Sequence, residues 1–140
     1  TLPIVVLLAL VALIEEAAKS LPVLAGFEHA RYPRTTRAAL LAGAASGLGF
    51  FLGEKLLLVV QLALVDLSQI RAGNAVFQTG FGEGPVVVAA LLVAPLALHV
   101  VTAATSALGA SRNENWYALA FGTAVVLHTL YNLTVVSLLG

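Results

Sequence analysis

An all-α fold, an integral membrane bundle of four transmembrane helices, is predicted by three features of this 140-residue sequence. Hydrophobic residues make up 60% of it and charged residues 10%, with a mean hydropathy of +1.00, far more apolar than a soluble domain. The charges are also confined, leaving uncharged runs at Thr1–Ile14, Ala38–Gly53, Leu56–Val65, Gly84–Ser111 and Asn115–Gly140. The last two exceed the roughly 20 apolar residues that span a bilayer. Finally, the runs show no in/out alternation, which excludes a barrel and leaves helices to satisfy the backbone in lipid.

The elements follow in order. Helices are expected at about Leu2–Ala25, Arg37–Asp66, Pro85–Leu108 and Trp116–Leu139, with Pro85 suited to a first helical turn. Three connections separate them: a basic one at Phe27–Thr36, a longer glycine-containing one at Leu67–Gly84, and a short one at Gly109–Asn115. Trp116 and Tyr117 then form an interfacial aromatic belt. Arg31, Arg34 and Arg37 mark the first connection and Arg112 the third, whereas the second has only Arg71 near Asp66 and Glu83. The positive-inside rule therefore faces both chain ends outward. In the second helix Gly43 and Gly47, then Gly49 and Gly53, are spaced four apart as in close helix interfaces, which makes that helix central.

Composition excludes several functions. Seven basic and seven acidic residues cancel, so there is no basic excess for nucleic acid and no charged tail that would keep the chain disordered. Without cysteine there is no disulfide framework, thiolate metal cluster or cysteine nucleophile. Any metal must use histidine and carboxylate ligands. The apolar start without an initiator methionine suggests a single membrane-embedded core that is a piece, or a processed form, of a longer protein.

Ionisable groups at membrane depth are costly and usually mark a site or pathway. Glu15 and Glu16 end the first apolar run and precede Lys19; Glu54 interrupts the second helix; His99 lies in the third; His128 and Asn132 lie one turn apart in the fourth. Glu15 and Lys19 are four apart and can pair across a turn, pinning one carboxylate and leaving its neighbour free. Lys55, adjacent to Glu54, is not expected to share its face. Snorkelling at a helix end would account for the first group taken alone, and a satisfied core histidine for either imidazole alone. The conjunction of two acidic sites, two histidines and an amide, spread over four helices with little other intramembrane polarity, favours one shared centre.

The ordered set Glu15-Glu16-x-x-Lys19, Phe50-x-x-x-Glu54, an isolated His99 and His128-x-x-x-Asn132 resembles the motif series of the PrsW-type intramembrane metalloproteases, relatives of the CAAX prenyl endopeptidases and bacteriocin-processing proteins. The glutamate that closes the phenylalanine motif and the short spacing to Lys19 both match the PrsW branch. No arginine shortly precedes His99, and the chain is shorter than relatives with further spans. The resemblance implies an endopeptidase in a bacterial or archaeal cytoplasmic membrane, surrounded by lipid. It would act on membrane-attached proteins, anti-sigma factors among them.

Peptide hydrolysis needs an activated water, a stabilised oxyanion and a proton for the leaving amine. On this reading Glu15 is the general base, Glu16 assists it or holds Lys19, Glu54 with His99 and His128 forms the polarising centre, and Asn132 donates to the oxyanion. Two imidazoles and a carboxylate suit an open tetrahedral Zn2+ site. The helical His-Glu-x-x-His signature is absent, and the same motif types are also read as a metal-free glutamate/histidine site. Two other classes compete: a small transporter or ion-binding bundle relaying protons through Glu54, His99 and His128, and a rhomboid-like serine site at Ala44-Ala45-Ser46-Gly47, which leaves both acidic sites unused.

Depth constrains convergence. At about 1.5 Å per residue, His99 lies roughly 14 Å from Leu108 and His128 roughly 18 Å from Trp116, whereas Glu54 is about 26 Å from Arg37. The glutamate pair reaches their level only if the first helix runs on past Lys19 towards Ala25.

Overall fold

The structure, a computed structural model, describes residues 2–64 and 92–139. These residues form four helices: α1 (Leu2–Glu28), α2 (Thr36–Leu64), α3 (Ala94–Arg112) and α4 (Glu114–Leu139). The expected connection Leu67–Gly84 and the role of Pro85 lie outside the described residues.

Three helices are long and apolar enough to cross a membrane: Thr36–Gln61, Ala94–Arg112 and Glu114–Ser137. The chain is thus a multi-pass membrane protein, and Leu56, Leu119 and Val126 stand exposed on its surface, as side chains facing lipid do. Of the four expected spans three qualify by length and composition, and α1 does not. Every 18-residue stretch of α1 contains Glu15, Glu16 and Lys19, more charge than a span of ordinary composition carries.

Helix ends follow from local chemistry. α1 runs through Pro22, whose missing N–H is tolerated, and continues past Ala25 to Glu28. The chain then reverses over His29–Thr35, with Ala30 in the left-handed region at φ 52°. The Arg31 and Tyr32 N–H groups return to the Gly26 carbonyl, and the Tyr32 ring occupies the space a side chain at Gly26 would need. Thr35 Oγ1 accepts the Ala38 N–H at 3.2 Å, a cap for α2. Between α3 and α4 the expected seven-residue connection shrinks to Asn113. Its extended backbone breaks the helix while Oδ1 accepts the Trp116 N–H at 3.0 Å, so one side chain ends α3 and starts α4.

The two glycine pairs of α2 behave differently. A Cβ at Gly47 would lie 2.3 Å from the His99 carbonyl oxygen, and one at Gly43 2.6 Å from that of Ala103, so α2 and α3 cross backbone to backbone here. Gly49 and Gly53 have nothing beside them among the described residues. α2 is accordingly not the centre of the bundle: among the described residues its backbone packs on α3 and α1 and not on α4, whereas α1 and α3 each pack on all three other helices. Val23, Phe27, Ala39, Ala107 and Ala110 fill the core at the end of the bundle that holds the two turns. The polar groups lie one to two turns further along α1 and α3.

Candidate active site

Glu16 and Lys19 share a face of α1 because they are three apart, and both side chains are fully buried. Lys19 Nζ bonds Glu16 Oε1, and also reaches His99 Nδ1 at 3.1 Å and Thr102 Oγ1 at 3.0 Å on α3. An ammonium has three N–H groups and no acceptor, so this Lys19 is saturated. Of the two partners the sequence allowed Lys19, Glu15 across a turn or Glu16 as its holder, the structure has Glu16. Glu15, about 100° round the helix, is the carboxylate left free to reach α4.

On α4, His128 Nδ1 lies 2.8 Å from Glu16 Oε1 and Nε2 lies 3.3 Å from Glu15 Oε2. On α2, Glu54 Oε2 lies 3.0 Å from His99 Nε2, while its Oε1 accepts from Lys55 Nζ at 2.6 Å. Lys55 lies on the Phe51 face, about 100° from Glu54, with Nζ 5.2 Å from the Phe51 ring centre, and reaches Glu54 because its side chain is long. The imidazoles meet edge to face with centroids 5.2 Å apart, and Phe50 and Phe51 wall in His99 at 5.3 and 6.3 Å. Four helices thus deliver five of the six sequence-selected residues to one place. Asn132 sits half-buried one turn beyond His128 on α4, with no hydrogen bond among the described residues.

Hydrogen-bond direction assigns the protons. Because Lys19 can only donate, His99 Nδ1 accepts and its N–H is at Nε2, directed at Glu54. His128 gives its Nδ1–H to the nearer carboxylate, Glu16. Its Nε2 then faces a Glu15 oxygen at 3.3 Å, a contact between two lone-pair atoms that calls for a proton or a cation between them.

The residues fit a divalent metal on three counts. Glu15, His99 and His128 each offer a ligand atom within 4.8 Å of the others, a carboxylate/bis-imidazole set suited to zinc; His99 would bind through Nε2, and only once that nitrogen gives up the proton it directs at Glu54. Glu54 is not in this set and touches His99 alone of the two imidazoles. Glu16 on His128 Nδ1 is the outer carboxylate that metal-bound histidines usually carry. In addition, among the described residues Glu15, Glu16 and Glu54 face two ammonium groups, Lys19 and Lys55, so neutral imidazoles leave one negative charge over in that set. At a centre this dry, that excess favours a bound cation.

The sequence profile of the PrsW family intramembrane metalloproteases matches residues 2–140. The chain belongs to that family. It is a protease, and PrsW membership accounts for the metal-compatible cluster among apolar helices. No curated protein and no solved structure matches it.

Within this cluster of the PrsW-family chain, the sequence reading overlooked Thr102. It is 1% exposed and bonded to Lys19 and, at 3.1 Å, to Glu16 Oε1. Its signal was its place three residues after His99, on the same helix face. The Glu15/Glu16 pair is open towards the outside only through Glu15, whose side chain is 25% exposed, while that of Glu54 is 39% exposed. The 580 Å³ cavity lies elsewhere, at the Arg34–Arg112 end, and is lined by none of the cluster.

Proposed function

We propose that the chain hydrolyses a peptide bond of a membrane-attached protein at a Glu/His metal centre, with Glu15, His99 and His128 as the ligands and Glu54 as the general base. The observation that carries this reading is the convergence of those three donors within 4.8 Å, with Glu54 beside but outside them. Relative to the sequence assignment, Glu15 and Glu54 exchange roles. When bound, a zinc-type ion would supply a Lewis acid for the scissile carbonyl and acidify water. Glu54 takes a proton from the attacking water as the water oxygen bonds the carbonyl carbon. As the C–N bond breaks, Glu54 returns that proton to the leaving nitrogen. Asn132 donates its amide N–H to the oxyanion. Glu16 holds His128 by Nδ1, and Lys19 holds His99 by Nδ1.

α1 is the fourth span of this proposal. Two of the three charges that disqualify it by composition are buried against each other, and the third reaches His128. This puts both chain ends outside a bacterial or archaeal cytoplasmic membrane. Membrane-tethered regulators such as anti-sigma factors are the substrate class.

The test pairs metal content with cleavage of a membrane-tethered reporter. Glu15→Gln and His128→Ala should lose both metal and cleavage, whereas Glu54→Gln should keep metal and lose cleavage about 100-fold or more. Metal lost in Glu54→Gln and kept in Glu15→Gln would restore the sequence assignment. Full cleavage by all three variants would reject the site.

A further inference from the structure

We infer that Thr102 is a positioning residue that fixes the orientation of both imidazoles through the buried Glu16–Lys19 pair. The inference rests on the site proposed above. Threonines within helices commonly turn their hydroxyl back onto their own helix. Thr105, Thr123, Thr129 and Thr134 do so, each donating to the carbonyl four residues earlier at 2.8–2.9 Å. Thr102 does not. Its Oγ1 accepts from Lys19 Nζ at 3.0 Å and donates to Glu16 Oε1 at 3.1 Å, with the His99 carbonyl more distant at 3.4 Å. It is thus the one neutral side chain among the described residues bonded to both members of the buried pair.

The consequence follows from the count of donors. Lys19 divides its three N–H groups among Glu16, Thr102 and His99. Glu16 Oε1 receives Lys19, Thr102 and His128, while Oε2 has no partner. Thr102 therefore holds Lys19 at the distance from which it reaches His99 Nδ1, and holds Oε1 rather than Oε2 towards His128 Nδ1. If the hydroxyl is lost, a buried N–H is orphaned and the carboxylate is free to rotate. Both imidazoles then lose their fixed partner together, although Thr102 touches neither ring among the described residues.

Thr102→Val keeps the shape and removes the hydroxyl; Thr102→Ser keeps the hydroxyl. The full chain in bicelles is assayed for reporter cleavage and titrated with Co2+, whose absorption bands report binding to imidazole ligands. Thr102→Val should lower kcat and Co2+ affinity about 10- to 100-fold with KM nearly unchanged, and Thr102→Ser should restore both to within about threefold. Equal kcat per folded molecule and equal Co2+ affinity in Thr102→Val and the parent would reduce Thr102 to a core residue and overturn the inference. If Thr102→Val does not fold, side-chain 15N shifts of the metal-free parent decide. His99 should be the Nε2–H tautomer, and an Nδ1–H tautomer would show that Lys19 is not held on it, which overturns the inference. Co2+ binding unaltered by His128→Ala would instead sink the metal site. Binding lost in His128→Ala but unaltered in Thr102→Val sinks only the role of Thr102.

Discussion

Substitution of Glu16 and Lys19, singly and together, measures how far the buried pair sustains the fold. Both side chains are fully buried and each is the other's only oppositely charged partner held by a side-chain bond, apart from the histidines. Glu16→Gln removes one charge with little change of shape: Oε1 can still accept, and the new NH2 falls where Oε2 now has no partner. Lys19→Met removes the other charge and keeps the stem. Each single change leaves an uncompensated buried charge, which costs about 3–5 kcal/mol. The double variant leaves neither and should recover to within about 1–2 kcal/mol of the parent. The expected coupling is therefore about 4–9 kcal/mol, above the roughly 0.5–3 kcal/mol usual for residues in contact. Reversible unfolding in bicelles by an SDS titration gives the three differences. Single effects that add to within about 0.5 kcal/mol would refute a coupled buried pair. The double variant also separates fold from function. It should be nearly as stable as the parent and still lose about 10- to 100-fold in cleavage, because His99 Nδ1 loses Lys19 and His128 Nδ1 keeps a neutral amide oxygen in place of a carboxylate.

Three further outcomes are expected. Gly47→Ala forces a methyl into the His99 carbonyl and should cost about 1–3 kcal/mol by overpacking, with cleavage falling alongside; Gly49→Ala, facing open space, should change neither, and unfolding curves of the two compare them directly. Asn113→Ala removes the cap on Trp116 N–H and should cost about 1 kcal/mol with kcat unchanged, read in the same titration. Chelation should abolish reporter cleavage and readdition of zinc should restore it; cleavage that survives exhaustive chelation points to the metal-free form of the same glutamate/histidine site.

The helices were legible because apolar runs bounded by charges determine them, and the site residues because few polar groups interrupt those runs. Their mutual roles were not legible. Spacing allowed Lys19 to pair with Glu15 or with Glu16; the choice is made by Thr102 and His128, which are brought there by the α3 and α4 contacts. Depth counting from assumed membrane edges left Glu54 too deep, yet it reaches His99. The Gly43/Gly47 crossing sets the two helices in register at His99 itself, so the relevant depth is measured from that crossing and not from Arg37. Periodicity likewise treated Gly49 and Gly53 as equivalent to the first pair. A four-residue spacing gives a smooth face and says nothing about whether a helix lies against it.

If α1 is the fourth span, as proposed, composition alone is a poor measure of such a helix. Hydropathy counts each charge as though it met lipid singly, at about 2.5–3.5 kcal/mol for an ionised residue at the centre of a span. That count alone disqualifies α1, which is otherwise the most apolar of the four helices. Yet Glu16 and Lys19 meet each other, Thr102 and two imidazoles, so lipid sees neither. The penalty is a property of the isolated helix, removed only when α3 and α4 are in place. The same groups that make α1 a poor span alone therefore bind it to the bundle, and the site is assembled by the step that satisfies them. Truncating α4 before His128 should then leave α1 extractable by alkaline carbonate while α2 and α3 stay in the membrane; α1 retained without α4 would show that it inserts on its own hydropathy.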